Sequence, residues 1–208
     1  MPLDLWLTFV AASTALLLIP GPTVLLVLSY ALSQGRRVAV ASATGVALGD
    51  LIAMTASLAG LGALVLASAT LFTVLKWAGA VYLVWMGIKL LRARAATGLE
   101  AHTRPDSTGR HVFWHAASVT ALNPKSIAFF IAFVPQFVRV DSPLAPQFAI
   151  LIATFVGLAA VNALAYALAA DRLRRTIRRP GVITWLTRSG GLALIGMGVL
   201  TATMRRAA

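Results

Sequence analysis

Six stretches of this chain are each long and apolar enough to cross a bilayer, and that alone removes most folds from consideration. A spanning helix needs roughly twenty mostly apolar residues, and residues 5–33, 38–66, 69–91, 112–138, 145–170 and 182–204 all meet that requirement. Hydrocarbon offers no water to the backbone, so spans of this length must satisfy their own N–H and C=O groups as α-helices. Apolar residues make up 59% of the chain and charged ones 12%, which is not the balance of a soluble domain. The net charge of +12 raises the question of nucleic acid. However, the basic residues fall between apolar runs and not along a face interleaved with aromatics, so no nucleic-acid partner is expected. There is no cysteine, which excludes disulfides, thiolate metal sites and dithiol relays. The first run follows Met1-Pro2-Leu3-Asp4 without a basic start and continues through Tyr30, so it reads as an uncleaved span and not as a secretory signal.

Loop arginines orient the spans. Arg36 and Arg37 lie in the first join, Arg92, Arg94, Arg104 and Arg110 in the third, and Arg172, Arg174, Arg175, Arg178 and Arg179 in the fifth. The opposite side has Asp4, Arg139 with Asp141, and the terminal Arg205 and Arg206. The positive-inside rule then makes the odd joins cytoplasmic and puts both termini outside. Residues 1–208 read as one transmembrane transporter domain: a first repeat over about 1–91, a cytoplasmic linker over about 92–111 and a second repeat over about 112–208. The repeat shows in spacing. Gly79 and Gly87, with Met86, recur as Gly190 and Gly198, with Met197; Gly45 and Asp50 recur as Gly157 and Asn162. Three spans per half is an odd number, so a duplication places the halves in opposite orientation. The expected fold is therefore an all-α membrane protein of six helices in two inverted three-helix repeats.

The first and fourth spans are each broken by proline, at Ile19-Pro20-Gly21-Pro22 and at Leu122-Asn123-Pro124-Lys125. Proline removes a backbone donor and clashes with the preceding turn. In a membrane such a break survives only where it lines a cavity or is buried in protein, and paired breaks in two halves point to a binding site near the midplane. At 1.5 Å per residue, Pro20 and Pro22 lie about 22 Å into the first span, Asp50 about 18 Å into the second, and Asn123 to Lys125 about 17 to 20 Å into the fourth. Asn162 in the fifth span lies near the same depth. Asp50 is the one acid deep in any span, and a buried membrane carboxylate is costly enough to suggest a function: proton coupling, or contact with a substrate ammonium. The structural alternative is an ion pair with Lys125. Asn123 is placed to cap the second half-helix, and Lys125 beside that helix N-terminus makes a carboxylate site. Free carbonyls near Pro20 and Pro22 offer acceptors to an ammonium, so a zwitterionic amino acid fits. The candidate binding or translocation set is Pro20, Gly21, Pro22, Asp50, Asn123, Pro124, Lys125 and Asn162.

Other polar groups read as structural. Lys76 is expected to snorkel, and Trp6, Trp77, Trp85, Trp114 and Trp185 to mark interfaces. His102, His111 and His115 read as solvated or interfacial. No nucleotide loop or zinc helix is present, so no enzyme activity, cofactor or bound metal is expected. Any uphill transport then draws on an ion gradient or the membrane potential. A carrier for a metal cation or other solute, or a scaffold without transport, are the alternatives; a metal would want several converging ligands. The glycines of the third and sixth spans suit either a homodimer or packing within one chain.

These residues resemble a known family. Pro20-Gly21-Pro22, then Leu75-Lys76-Trp77-Ala78-Gly79-Ala80 with Tyr82-Leu83 and Gly87, then Leu122-Asn123-Pro124-Lys125 with Phe129-Phe130 and Pro135-Gln136-Phe137, are similar to the LysE/RhtB family of bacterial amino-acid exporters. The resemblance runs from the first span to the last. It implies a multi-pass inner-membrane carrier exporting small amino acids or close derivatives by exchange with protons, with Pro20, Gly21, Pro22, Asn123, Pro124 and Lys125 shaping the translocation site. Many relatives carry an acid in the fifth span before a tyrosine like Tyr166, whereas here the stretch reads Gly157-Leu158-Ala159-Ala160-Val161-Asn162. Asp50 is left as the deep carboxylate. With Lys125 beside it, a small neutral or hydroxylated amino acid is the expected substrate, because a further cation would be poorly hosted.

Overall fold

A computed structural model of the protein describes residues 1–19, 21–92, 108–139, 142–177 and 180–203. Among these, the helices are α1 (Leu3–Leu18), α2 (Pro22–Gln34), α3 (Arg36–Ala67), α4 (Ala69–Arg92), α5 (Gly109–Ala121), α6 (Pro124–Ala132), α7 (Leu144–Ile177) and α8 (Pro180–Thr203), with a 3₁₀ turn at Val134–Phe137. The linker residues 93–107 fall outside the described residues, and with them Arg94, His102 and Arg104. So do Pro20, Asp141, Arg178, Arg179, Arg205 and Arg206, and the side chains of Lys76, Arg172, Arg174 and Arg175.

Both predicted breaks are present. α1 and α2 meet at 56°, and α5 meets the α6 segment at 45°. A residue before proline is biased from helical toward extended backbone, and the three that precede prolines within the two breaks follow it: Ile19 (φ −69°, ψ 117°), Gly21 (φ −130°, ψ −172°) and Asn123 (φ −69°, ψ 111°). Pro22 and Pro124 then open α2 and α6, where their missing N–H costs nothing and their fixed φ suits the first turn. α2 ends at Gly35, whose φ of 80° favours glycine, and the chain turns directly into α3.

α3, α4 and α7 each contain a stretch able to cross a membrane, and each bent pair qualifies as one broken span. The protein is thus a multi-pass helical membrane protein, with three such helices among the described residues and up to five spans when each bent pair counts as one. α8, expected as a sixth, is 24 residues long but is not among these; it carries Arg188. Two boundaries differ from expectation. α7 continues to Ile177 through residues that read as a loop, since the alanine, leucine and arginine after Ala169 favour helix. α5 starts at Gly109, three residues early, because the Thr108 side chain accepts a 3.3 Å hydrogen bond from His111 N–H and caps it.

Small residues set the packing. α3 lies on α5 and α4 on α8 in the two most extensive helix contacts. Gly45 faces Phe113 and Ala116, while Gly49 faces Ala117 and Thr120; both positions rise together, so α3 and α5 run parallel. A Cβ on Gly49 would stand 2.5 Å from the Ala117 carbonyl oxygen, which only glycine allows. Gly87 lies against Gly191 and Ile195, and Gly198 against Ala80 and Val84. Position falls on α8 as it rises on α4, so these two are antiparallel. A shift of 111 residues, taking Gly87 to Gly198, also takes Ala80 to Gly191 and Val84 to Ile195.

Buried side chains form two clusters at different depths. One gathers Phe9, Leu16, Met54, Leu58, Phe129, Phe130, Phe133, Phe137 and Phe155; edge-to-face ring pairs such as Phe130–Phe155, with centroids 4.8 Å apart, hold it. The other, toward Gly35, is built from smaller residues of α2, α3, α5 and α7 around Tyr30.

Candidate functional site

Between these clusters the two breaks face one another across a cavity of about 30 Å³. Of the eight residues proposed from sequence, Gly21, Asp50, Asn123, Lys125 and Asn162 line it. Pro22 and Pro124 do not. Both are exposed, so their part is to begin α2 and α6 in the right place. Pro20 lies outside the described residues. Thr23 and Ser126 add hydroxyls to the lining, and Val46 and other apolar side chains form the rest of its wall.

The second break is built as its sequence suggests. The Asn123 carboxamide oxygen accepts from the Lys125 backbone N–H at 3.1 Å and caps α6. Its amide nitrogen donates to the Thr23 hydroxyl at 3.1 Å, and that hydroxyl pairs with Thr120 at 3.4 Å. One asparagine therefore caps its own half-helix and ties the two breaks together.

The first break is satisfied in a way the sequence did not disclose. The last carbonyls of any helix lack intrahelical donors, and at the end of α1 these are supplied by side chains from two distant helices. Lys125 Nζ donates to the carbonyls of Leu16 and Ile19, each at 3.1 Å. Asn162 Nδ2 donates to Leu17 O at 3.1 Å, and Tyr166 Oη to Leu18 O at 3.4 Å. Four successive carbonyls each receive a side-chain donor, Leu16 O accepting from the Ile19 N–H at 3.3 Å as well, which removes the cost of leaving them bare in the membrane. The ammonium also sits at the negative end of the α1 dipole. Gly21 is small where Lys125 passes: a Cβ there would lie 3.4 Å from Nζ.

Three expectations are thereby corrected. The α1 carbonyls are not open to a substrate in this state, because Lys125 and Asn162 hold them. The lysine in turn is not displayed at the α6 N-terminus, because its side chain reaches back to α1. Nor do Asp50 and Lys125 form an ion pair; among the described residues Asp50 Oδ1 has no hydrogen-bond partner at all, although the lysine charge acts on it across the cavity. Asp50 is 2% exposed and Lys125 9%. A buried unpaired carboxylate oxygen is expensive, and this one lines the cavity.

Sequence reasoning also passed over Thr23, Ser126 and Tyr166. The first two sit one residue after Pro22 and two after Pro124, where a first-turn hydroxyl beside a break would have been a usable signal. His115, which reads as solvated or interfacial, is half-buried, and its Nδ1 lies 2.7 Å from the Tyr30 hydroxyl, where α5 packs on α2.

With the geometry in place, comparison with known proteins is informative. The family described as LysE type translocator matches residues 14–205. A homoserine/homoserine lactone efflux protein of Salmonella typhimurium is 35% identical over 207 residues, covering all of both chains. An uncharacterized membrane protein of Vibrio cholerae is 34% identical over 99% of this chain and all of its own. A leucine efflux protein of an Enterobacter species is 31% identical over 140 residues, 67% of this chain and 66% of its own. No solved structure matches the chain.

Proposed function

Because the chain belongs to the LysE family of translocators, we propose that it is a secondary active exporter of small amino acids or close derivatives across the bacterial inner membrane, coupled to protons through Asp50. The observation that carries this is the cavity itself. A buried carboxylate with one oxygen unpartnered among the described residues, a lysine and two asparagines meet at one depth, between two broken spans. A carboxylate that holds either a proton or a substrate amine, but not both, is the simplest device for exchanging one against the other. The relatives' named substrates, homoserine, its lactone and leucine, all carry a primary amine that such a group would accept, and small neutral or hydroxylated amino acids remain the proposed class.

The same reading has two inverted repeats, over about 1–91 and 112–208, joined by a cytoplasmic linker. The reciprocal contacts of α4 and α8 under a shift of 111 residues support it, as does their antiparallel course. Since α8 runs alongside α4 through Gly191 and Gly198, it shares the depth of α4 and serves as the sixth span, which leaves both termini outside. The glycines of α4 and α8 are used against each other, which favours packing within one chain over a homodimer.

Vesicles preloaded with labelled homoserine and leucine test the reading. The wild-type protein is expected to release at least one of them in response to an imposed proton gradient, and Asp50→Asn to slow that release by about tenfold or more, the scale of losing a charged hydrogen-bond acceptor. Release that ignores both the substitution and the gradient would remove the coupling role. Absence of any release would favour a scaffold.

A further inference from the structure

The α1 carbonyl cage and Asp50 together make a site for an ammonium group, and in this state the chain fills part of it with its own. Leu16 O and Ile19 O each accept from Lys125 Nζ at 3.1 Å, while Asp50 Oδ1, lining the same cavity, is 2% exposed and accepts from nothing. We infer that the Lys125 ammonium is a tethered stand-in for the substrate's amine: the incoming amine binds Asp50 and displaces Lys125 from the α1 carbonyls, and the released lysine turns to whatever oxygen the substrate brings. The inference rests on the export reading and assigns the site its selectivity: a primary amine is obligatory and a carboxylate optional.

Three features support the exchange. The cavity, at about 30 Å³, holds only a water-sized group or two, so an amino acid enters only if a lining group withdraws. Lys125 is the one long, flexible side chain in the lining. The carbonyls it would vacate lose one ammonium and gain another, so no acceptor is bared in the membrane at any stage. Asn162 holds Leu17 O throughout, which keeps the end of α1 shaped while the ammonium changes hands. A resident competitor also lowers apparent affinity by the fraction of time it occupies the site.

The test is displacement of labelled homoserine from purified protein in lipid nanodiscs by two probes: homoserine lactone, which keeps the amine and lacks the carboxylate, and 4-hydroxybutyrate, which keeps the carboxylate and lacks the amine. In the wild type the lactone is expected to compete within about fivefold of homoserine and hydroxybutyrate to be at least about a hundredfold weaker, as for a site left with an unpaired acceptor. This arm needs no variant. Lys125→Met should then bind the lactone several-fold more tightly, since the competitor is gone, and lose its margin of homoserine over lactone. Asp50→Asn should weaken both. Hydroxybutyrate competing as well as homoserine, or Lys125→Met losing the lactone as completely as homoserine, overturns the inference and leaves the export reading standing. A wild type that binds no labelled homoserine and also releases no amino acid from vesicles overturns both.

Discussion

Asn123 shows how much a single residue carries. It terminates one helical piece, caps the next through its carboxamide oxygen, and bonds Thr23 across the cavity through its amide nitrogen. The two halves of the side chain can be separated experimentally. Asn123→Asp keeps the capping oxygen and loses the donor, whereas Asn123→Ala loses both. The alanine variant is expected to cost about 1 to 3 kcal/mol, a lost cap plus a half-buried Thr23 hydroxyl without its Asn123 donor, and the aspartate variant to retain the helix but bring a second carboxylate toward Asp50. Thermal unfolding in detergent should rank the alanine variant well below wild type. Efflux should fall in both, because the aspartate adds an unpaired charge to the site. Equal stability in wild type and Asn123→Ala would show that neither bond matters. The capping role could be read from the order asparagine-proline, while the partner Thr23, about a hundred residues earlier, could not.

At the scale of elements, glycines with the same sequence appearance do different things. Gly49 sits where a Cβ would lie 2.5 Å from the Ala117 carbonyl and 2.7 Å from the Thr120 Cβ, whereas a Cβ on Gly157, the counterpart of Gly45 in the proposed repeat, would meet nothing within 4 Å. Gly49→Val must push α3 off α5, and since Asp50 is the next residue the cavity moves with it. That substitution is expected to cost about 1 to 3 kcal/mol or more and to abolish efflux. Gly157→Ala should fold and transport as the wild type does, because the added methyl has room and alanine favours helix. Comparable loss in both variants, measured by thermal unfolding and by release from vesicles, would remove the close-packing argument. The repeat spacing pointed to glycine pairs on the right helices. It could not say which were pressed against a neighbour, since that depends on which face of each helix meets another.

For the whole molecule, the absence of cysteine makes the proposed topology directly measurable. Single cysteines at Ser142 and at Thr108 should behave oppositely toward a membrane-impermeant maleimide: the first labelled in intact cells, the second only after the inner membrane is opened. The same labelling from both positions in intact cells would contradict the inverted arrangement and an outside location for the termini. The ends of α1 and α2 fix the depth of the site in this scheme, with the aromatic cluster on one side and the smaller cluster around Tyr30 on the other. Opening toward either face then requires one cluster to loosen while the other stays packed.

The local grammar of the chain determined a great deal by itself. Apolar run length fixed helical spans, because hydrocarbon leaves the backbone no other partner. Proline fixed both breaks, because in a helix interior it lacks the N–H, clashes with the preceding turn and drives the residue before it toward extended backbone; a lone deep aspartate marked the site, because its burial is costly. Tertiary structure decided who satisfies whom. Lys125, Asn162 and Tyr166 cap an α1 terminus more than a hundred residues away from any of them, and Asp50 Oδ1 is left without a hydrogen-bond partner among the described residues. Hydrogen bonding is short-ranged and directional, so which donor reaches which acceptor depends on how the helices are placed in space, and spacing along the chain does not carry that information.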